Sequence, residues 1–167
     1  EGTYPLPEAQ LDRFMLKVIV DYPSRAEERA IIDRMVIGEP PPLPDAIISA
    51  EHVHRARQVV GTLYVDEKIK DYVLDLVSAT RDPAAAGLKS LAPLIEVGAS
   101  PRATLFLIRA ARAHAFLAGR GFVTPDDIKQ IAPDVLRHRI AVTFEAEAED
   151  ITSAQIVGQL LNKVTVP

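Results

Sequence analysis

The sequence predicts a mainly α-helical bundle, preceded by a short helix and one orphan β-strand. Three observations lead there. Helix starts are written out repeatedly as a capping residue before a helix-compatible run, at Ser24, Asp66, Ser100, Thr124 and Thr152. Within those runs apolar residues recur at helical spacing, as with Ile69, Val73, Leu76 and Val77. Only one run, Met15-Leu-Lys-Val-Ile-Val20, reads as a strong strand. Its nearly continuous apolar character suits a strand covered on both faces of a parallel sheet, and the chain offers no sheet to receive it.

In chain order, Glu8 to Phe14 is a short helical candidate behind Pro7, and the strand candidate follows. Ser24-Arg-Ala-Glu27 is a capping box whose helix runs to about Ile37, with Gly38 as its stop. Pro40-Pro-Pro42 and Pro44 make a stiff connector. A helix from near Ser49 to about Tyr64 places Val53, Ala56, Val59 and Val60 at helical spacing. Asp66 opens the next, which ends before Asp82-Pro83, and Ala84 to Ile95 is loop-like. From Ser100 to Leu117 the chain is apolar almost all round, the mark of a central, mostly buried helix ended by Gly119 and Gly121. Thr124-Pro-Asp-Asp127 opens a further helix, with Pro133 to His138 expected as a short turn. Ile140 to Phe144 is expected to be extended, Glu145 to Asp150 an acidic connector, and Thr152-Ser-Ala-Gln155 the start of a last helix to about Lys163.

Composition excludes several classes of function. A chain of 167 residues, 48% hydrophobic and 25% charged, has room for one domain with a real core and a small appendage. It has no cysteine, which removes disulfide frameworks and thiolate metal sites and makes a cytoplasmic setting the simpler expectation. A net charge of −4 gives no general attraction for nucleic acid or anionic membranes. No apolar stretch approaches the roughly 20 residues needed to span a bilayer. His52, His54, His114 and His138 have no metal-binding spacing, and no metal site is expected. There is no Gly-x-Ser-x-Gly nucleophile elbow and no calcium-loop spacing among the acids at 145–150. A phosphate-binding loop of the form G-x-x-x-x-G-K-[ST] is also absent, since no glycine precedes a lysine.

Three arginines remain as candidates for phosphate chemistry. Arg102 follows the Ser100 cap and Pro101 at the second helical position, where the unpaired N–H groups and the helix dipole already favour an anion. An added cation costs a few tenths of a kcal/mol to about 1 kcal/mol there, and a phosphate would relieve it. The plainer alternative is that Arg102 extends into water or pairs with a carboxylate. Arg13 closes the short helix before the strand candidate, where its plainer role is to complement that helix's dipole. Arg109 lies two turns beyond Arg102 on the same face, with a surface salt bridge as its plainer role.

Taken together, Glu1-Gly-Thr-Tyr-Pro-Leu-Pro-Glu-Ala-Gln-Leu-Asp-Arg-Phe14 and Gly98-Ala-Ser-Pro-Arg-Ala103 closely resemble the MoxR family of AAA+ ATPases. Asp21-Tyr-Pro23, Val123-Thr-Pro-Asp-Asp127 and Val135-Leu-Arg-His-Arg139 support the match, which extends over essentially the whole chain. The resemblance implies a homo-oligomeric ring, expected to be hexameric, in which ATP and magnesium sit between an α/β core and a helical lid. It implies that residues 1–22 are the end of that core and residues 23–167 the lid. Arg13 then matches the arginine finger, acting in trans on a neighbour's nucleotide, and Arg102 the sensor 2 arginine. Ser100, Pro101 and Arg109 are candidate ATP contacts beside it.

The chain opens without methionine in a loop-like stretch and lacks the Walker motifs and sensor 1, so it is expected to be a C-terminal piece that binds no cofactor tightly alone. For the parent, the resemblance implies coupling of ATP hydrolysis to remodelling or maturation of client proteins, among them proteins bearing von Willebrand factor A domains. Two alternatives are a free-standing helical interaction module without hydrolysis and the lid of a magnesium-chelatase-like motor.

Overall fold

The computed structural model describes residues 6–36 and 43–167. Two compact units divide them. One comprises the described part of Glu1–Lys17 together with Gln58–Pro167, and the other the described part of Val18–Arg57.

In the smaller unit, α2 (Arg25–Met35) starts as the sequence predicts: Ser24 Oγ accepts from Glu27 N–H, while Glu27 accepts from Ser24 N–H at 2.7 Å. The helix α3 (Ala50–Thr62) begins here on a similar box, in which Ser49 Oγ accepts from His52 N–H and His52 Nδ1 accepts from Ser49 N–H at 3.2 Å. No residue of α2 or α3 is buried. The expected helix stop at Gly38 and the connector Pro40–Pro42 lie outside the described residues.

The larger unit contains the core. It opens with α1 (Glu8–Leu11), and continues from the end of α3 into α4 (Glu67–Arg81), α5 (Pro101–Leu117), α6 (Pro125–Leu136), α7 (Phe144–Ala148) and α8 (Ser153–Lys163). Helices α4, α5, α6 and α8 pack around fully buried Val73, Leu76, Leu107, Ile128, Leu136 and Leu160. Their apolar faces drive this association, since helices of this length gain most of their stability from packing. Gly119 ends α5 with φ +72°, a conformation that costs a glycine little, and Arg120 N–H then bonds Ala115 O at 2.9 Å. Strand β1 (Ile95–Val97) pairs antiparallel with β2 (Ala141–Val142).

Four expectations need correction. Met15–Val20 is not a strand: a strand exists through its ladder, and among the described residues the run pairs with none. Its N-terminal part instead lies on the bundle, with Lys17 N–H bonded to Asp134 O at 2.8 Å. The fold is therefore mainly α with one small β pair placed elsewhere. The opening helix stops at Leu11, leaving Arg13 in the turn that follows. Pro133 lies inside α6, which runs on to Leu136, and the Pro133 carbonyl still accepts from Arg137 N–H at 3.1 Å. The acidic run is mostly helical, because Thr143 caps α7 by accepting from Ala146 N–H and anchors itself by donating to Pro93 O at 2.8 Å.

One buried carboxylate joins α5 to α6. Asp127, 1% exposed, closes a capping box with Thr124, receives the Arg120 guanidinium and lies 2.7 Å from His114 Nδ1. Burial alone would raise its pKa, but the bonds from Arg120, Thr124 and His114 outweigh that and hold it well below the usual carboxylate range. A depressed folded-state pKa contributes stability above the unfolded value, about 4, and loses it as pH falls further. Asp127→Asn is therefore expected to cost roughly 3 kcal/mol at pH 7. In urea denaturation series the gap from wild type should narrow as pH falls below about 4.

Candidate functional site

The N-terminus of α5 is held in place from beneath by the C-terminus of α4. Thr80 Oγ1, fully buried, accepts from Ala99 N–H at 2.9 Å and donates to Val77 O at 2.6 Å. Arg81 Nε donates to Ala99 O at 2.7 Å. The approach is so close that a Cβ on Gly98 would collide with the Thr80 carbonyl and lie 2.8 Å from Arg81 Cα. Only glycine allows the chain to pass there. From this platform Ser100 enters α5 as its N-cap, accepting from Arg102 N–H at 3.2 Å, and Pro101 takes the first helical position. The first turn carries no acidic residue.

Asp12 faces this helix start. As the C-cap of α1 it is distant in sequence, yet its carboxylate accepts from Ser100 Oγ at 2.8 and 2.9 Å and from Arg102 Nη1 at 3.1 Å. It also accepts from Arg139 Nε at 3.1 Å. Burial pushes the Asp12 pKa up, but the Ser100 and Arg102 bonds and the Arg139 charge together bring it below its ordinary value. The carboxylate is therefore ionised at neutral pH.

Arg139 is the deepest charge in the site, its side chain 0% exposed. Its guanidinium donates to the carbonyls of Asp12, Phe14 and Val135, and to that of Met15 at 3.3 Å. It also lies 5.0 Å from the centroid of the Phe106 ring. Every donor direction of the fork is thus used to bind the turn after α1 to the end of α6, while its face meets Phe106 on the flank of α5. His138 sits alongside, with Nε2 3.0 Å from Phe14 O. Burial, reinforced by the neighbouring Arg139 charge, lowers its pKa. An open cleft of about 350 Å³ lies beside this cluster, lined by Leu11, Asp12, Val97, Ser100, Arg139 and Ile140.

The structure brings Ser100, Pro101 and Arg102 together and sets them against the segment that carries Arg13. Arg102 adopts the plainer of its two expected arrangements, pairing with a carboxylate, yet remains 52% exposed. Arg13 is exposed and makes no ion pair among the described residues. Arg109 is also exposed, and the salt bridge expected for it is not formed among the described residues. It lies about 10 Å along α5 from Arg102 and does not join the cluster. Among the described residues no group of three or more His, Asp or Glu side chains is arranged to hold a metal ion. Nor is any helix there long and apolar enough to cross a membrane.

Sequence reasoning did not single out Asp12 or Arg139. Both sit inside motifs quoted for the family resemblance, but the contact between them spans 127 residues, and no local periodicity announces it. Removing Asp12 leaves the Arg139 charge buried without its counter-charge. Asp12→Ala is accordingly expected to cost about 3–5 kcal/mol. Arg102→Ala, which breaks only an exposed pair, should cost under about 1 kcal/mol. Chemical denaturation of both variants checks the ordering.

Comparison with known proteins is consistent along the chain. Residues 89–160 match the AAA lid domain. The chain is 42% identical over 167 residues to Chaperone MoxR1 of Mycobacterium tuberculosis, covering 100% of this chain and 44% of that protein. It is 33% identical to Protein MoxR of Paracoccus denitrificans, covering 93% of this chain and 50% of that one. The crystal structure of a candidate ATPase from Cytophaga hutchinsonii superposes with a TM-score of 0.95 at 41% identity, over 100% of this chain and 51% of that chain. The chain thus spans about half the length of the curated relatives it matches. An AAA lid domain over residues 89–160 and MoxR proteins matching the chain along its length together place this chain in the MoxR family of AAA+ ATPases, in which it carries the AAA lid domain.

Proposed function

We propose that this chain forms the lid side of a nucleotide site in a MoxR-type ATPase, with Arg102 contacting the terminal phosphates of ATP as sensor 2. The observation that carries this reading is the Arg102 fork itself. It stands half exposed at the start of a 17-residue helix whose first turn has no acid, with one nitrogen bonded to Asp12 and the other donors available. Guanidinium donors beside a helix N-terminus suit a phosphate both in charge and in geometry. The residues present therefore fit the phosphate end of a nucleotide. They do not fit magnesium, whose ligands would come from elsewhere in the parent protein.

ATP supplies the phosphoryl group and the energy of its transfer. This chain's residues orient and sense it: Ser100 and Pro101 fix the helix start, and Arg102 binds. In the same reading residues 1–22 close the catalytic core, residues 23–167 form the lid, and exposed Arg13 reaches a neighbouring subunit's γ-phosphate as the arginine finger. A homo-oligomeric ring, expected to be a hexamer, would then couple hydrolysis to the remodelling or maturation of client proteins in the cytoplasm. Proteins with von Willebrand factor A domains are the candidate clients or partners. Arg109, exposed on the same helix, is a second candidate contact.

The test uses the full-length protein. Arg102→Ala should weaken ATP binding roughly tenfold or more, the scale of a lost charge-assisted contact. Unchanged affinity and turnover would overturn the sensor role. Arg13→Ala should lower kcat by about a thousandfold or more while leaving ATP binding in the same subunit intact. Mixing that variant with subunits lacking the Walker lysine should restore part of the activity, and an absence of rescue speaks against action in trans.

A further inference from the structure

Asp12 stands between two arginines with different tasks, and its neighbour in the chain is a third. Its contacts are not equivalent. Arg139 is wholly buried and Ser100 is fixed in the N-cap of α5, whereas Arg102 is 52% exposed. The Asp12–Arg102 bond, at 3.1 Å, is the one that can open without unpacking the bundle. Arg102 cannot give the same donor to Asp12 and to a phosphate, and an oligophosphate carries more negative charge than one carboxylate. Asp12 occupies only Nη1, so a phosphate that grips the fork by both terminal nitrogens competes with the carboxylate for that one.

We propose that Asp12 is a positioning residue that holds Arg102 in the absence of phosphate and releases it to nucleotide. The release loosens the tie between α5 and the turn that bears Arg13. This inference rests on the roles of Arg102 and Arg13 proposed above. Two consequences follow from linkage. Nucleotide affinity is reduced by the fraction of time Arg102 spends on Asp12, and occupancy of one subunit's own site is transmitted to the finger it offers its neighbour. Asp12 touches no substrate in this scheme. It acts through Arg102 on one side and through the backbone of the next residue on the other.

The experiment is a mutant cycle in the full-length ATPase, reading the Kd of a fluorescent non-hydrolysable ATP analogue for wild type, D12N, R102A and the double variant. Asn keeps an oxygen for Ser100 and Arg139 but drops the charge that holds Arg102. D12N should tighten binding by about three- to fivefold, the scale of an exposed ion pair, and should leave Kd unchanged when introduced into R102A. The Hill coefficient of ATP hydrolysis should fall toward 1 in D12N as the link between sites is lost.

Equal tightening in both backgrounds would mean only that a negative charge near ATP had been removed, and would overturn the proposal. Unchanged or weaker binding in D12N, with R102A still weakened, would also overturn it while leaving the sensor role standing. An R102A variant with wild-type Kd would overturn the sensor role, and this proposal with it. Should D12N fail to fold, judged by its melting curve, D12N combined with R139Q removes the buried charge together with its counter-charge. That pair is then read by the same criteria in the presence and absence of R102A.

Discussion

The buried guanidinium of Arg139 is the constraint around which this chain is organised. A charge with no solvent access is tolerable only if its donors are met and its charge is opposed, and here four backbone carbonyls and one carboxylate do that. Three of those carbonyls belong to the turn after α1. That turn has little apolar burial of its own, so its position follows from the arginine rather than from a hydrophobic face. Asp12, fixed in this way, in turn meets Ser100 and Arg102. The location of the candidate phosphate-contacting residue thus depends on a charge more than thirty positions further along the chain.

A second support acts on the same helix start from the other side. Gly98 passes so close to the end of α4 that a side chain is excluded, and Thr80 and Arg81 then take both polar groups of the Ala99 backbone. Loops ahead of a functional helix are often its least defined part. Here the loop is pinned to a core helix, and Ser100 divides its hydroxyl between capping α5 and donating to Asp12. An arginine tolerated in an electrostatically unfavourable first turn is consistent with both devices, since Asp12 supplies the negative charge that the turn itself lacks.

Helix starts were legible in the residues because capping is local chemistry. Ser24, Asp66, Ser100, Thr124 and Thr152 each accept the backbone bond their position suggests. Ser100, Pro101 and Arg102 were legible as a helix start for the same reason. What depended on distant parts of the chain was not. Met15–Val20 has the composition of a buried strand, but a strand needs a partner edge, and composition alone supplies none. The acids at 145–150 looked like a solvated linker because the sequence does not reveal that Thr143 is anchored on Pro93. Asp12 and Arg139 were invisible as a pair because each is unremarkable alone, and only the fold brings them together.

The Asp127 cluster has a mechanical meaning in this setting. It clamps the C-terminal end of α5 to the start of α6 through Arg120 and His114, while the other end of α5 carries Arg102. The helix between them is about 25 Å long and has no internal proline or glycine at which to bend. It is therefore a stiff rod tied to the bundle at both ends, through Ala99 to α4 and through Asp127 to α6, so it cannot swing at Arg102 independently of the helices around it. Whatever Arg102 grips, the bundle packed along that rod is obliged to turn with it.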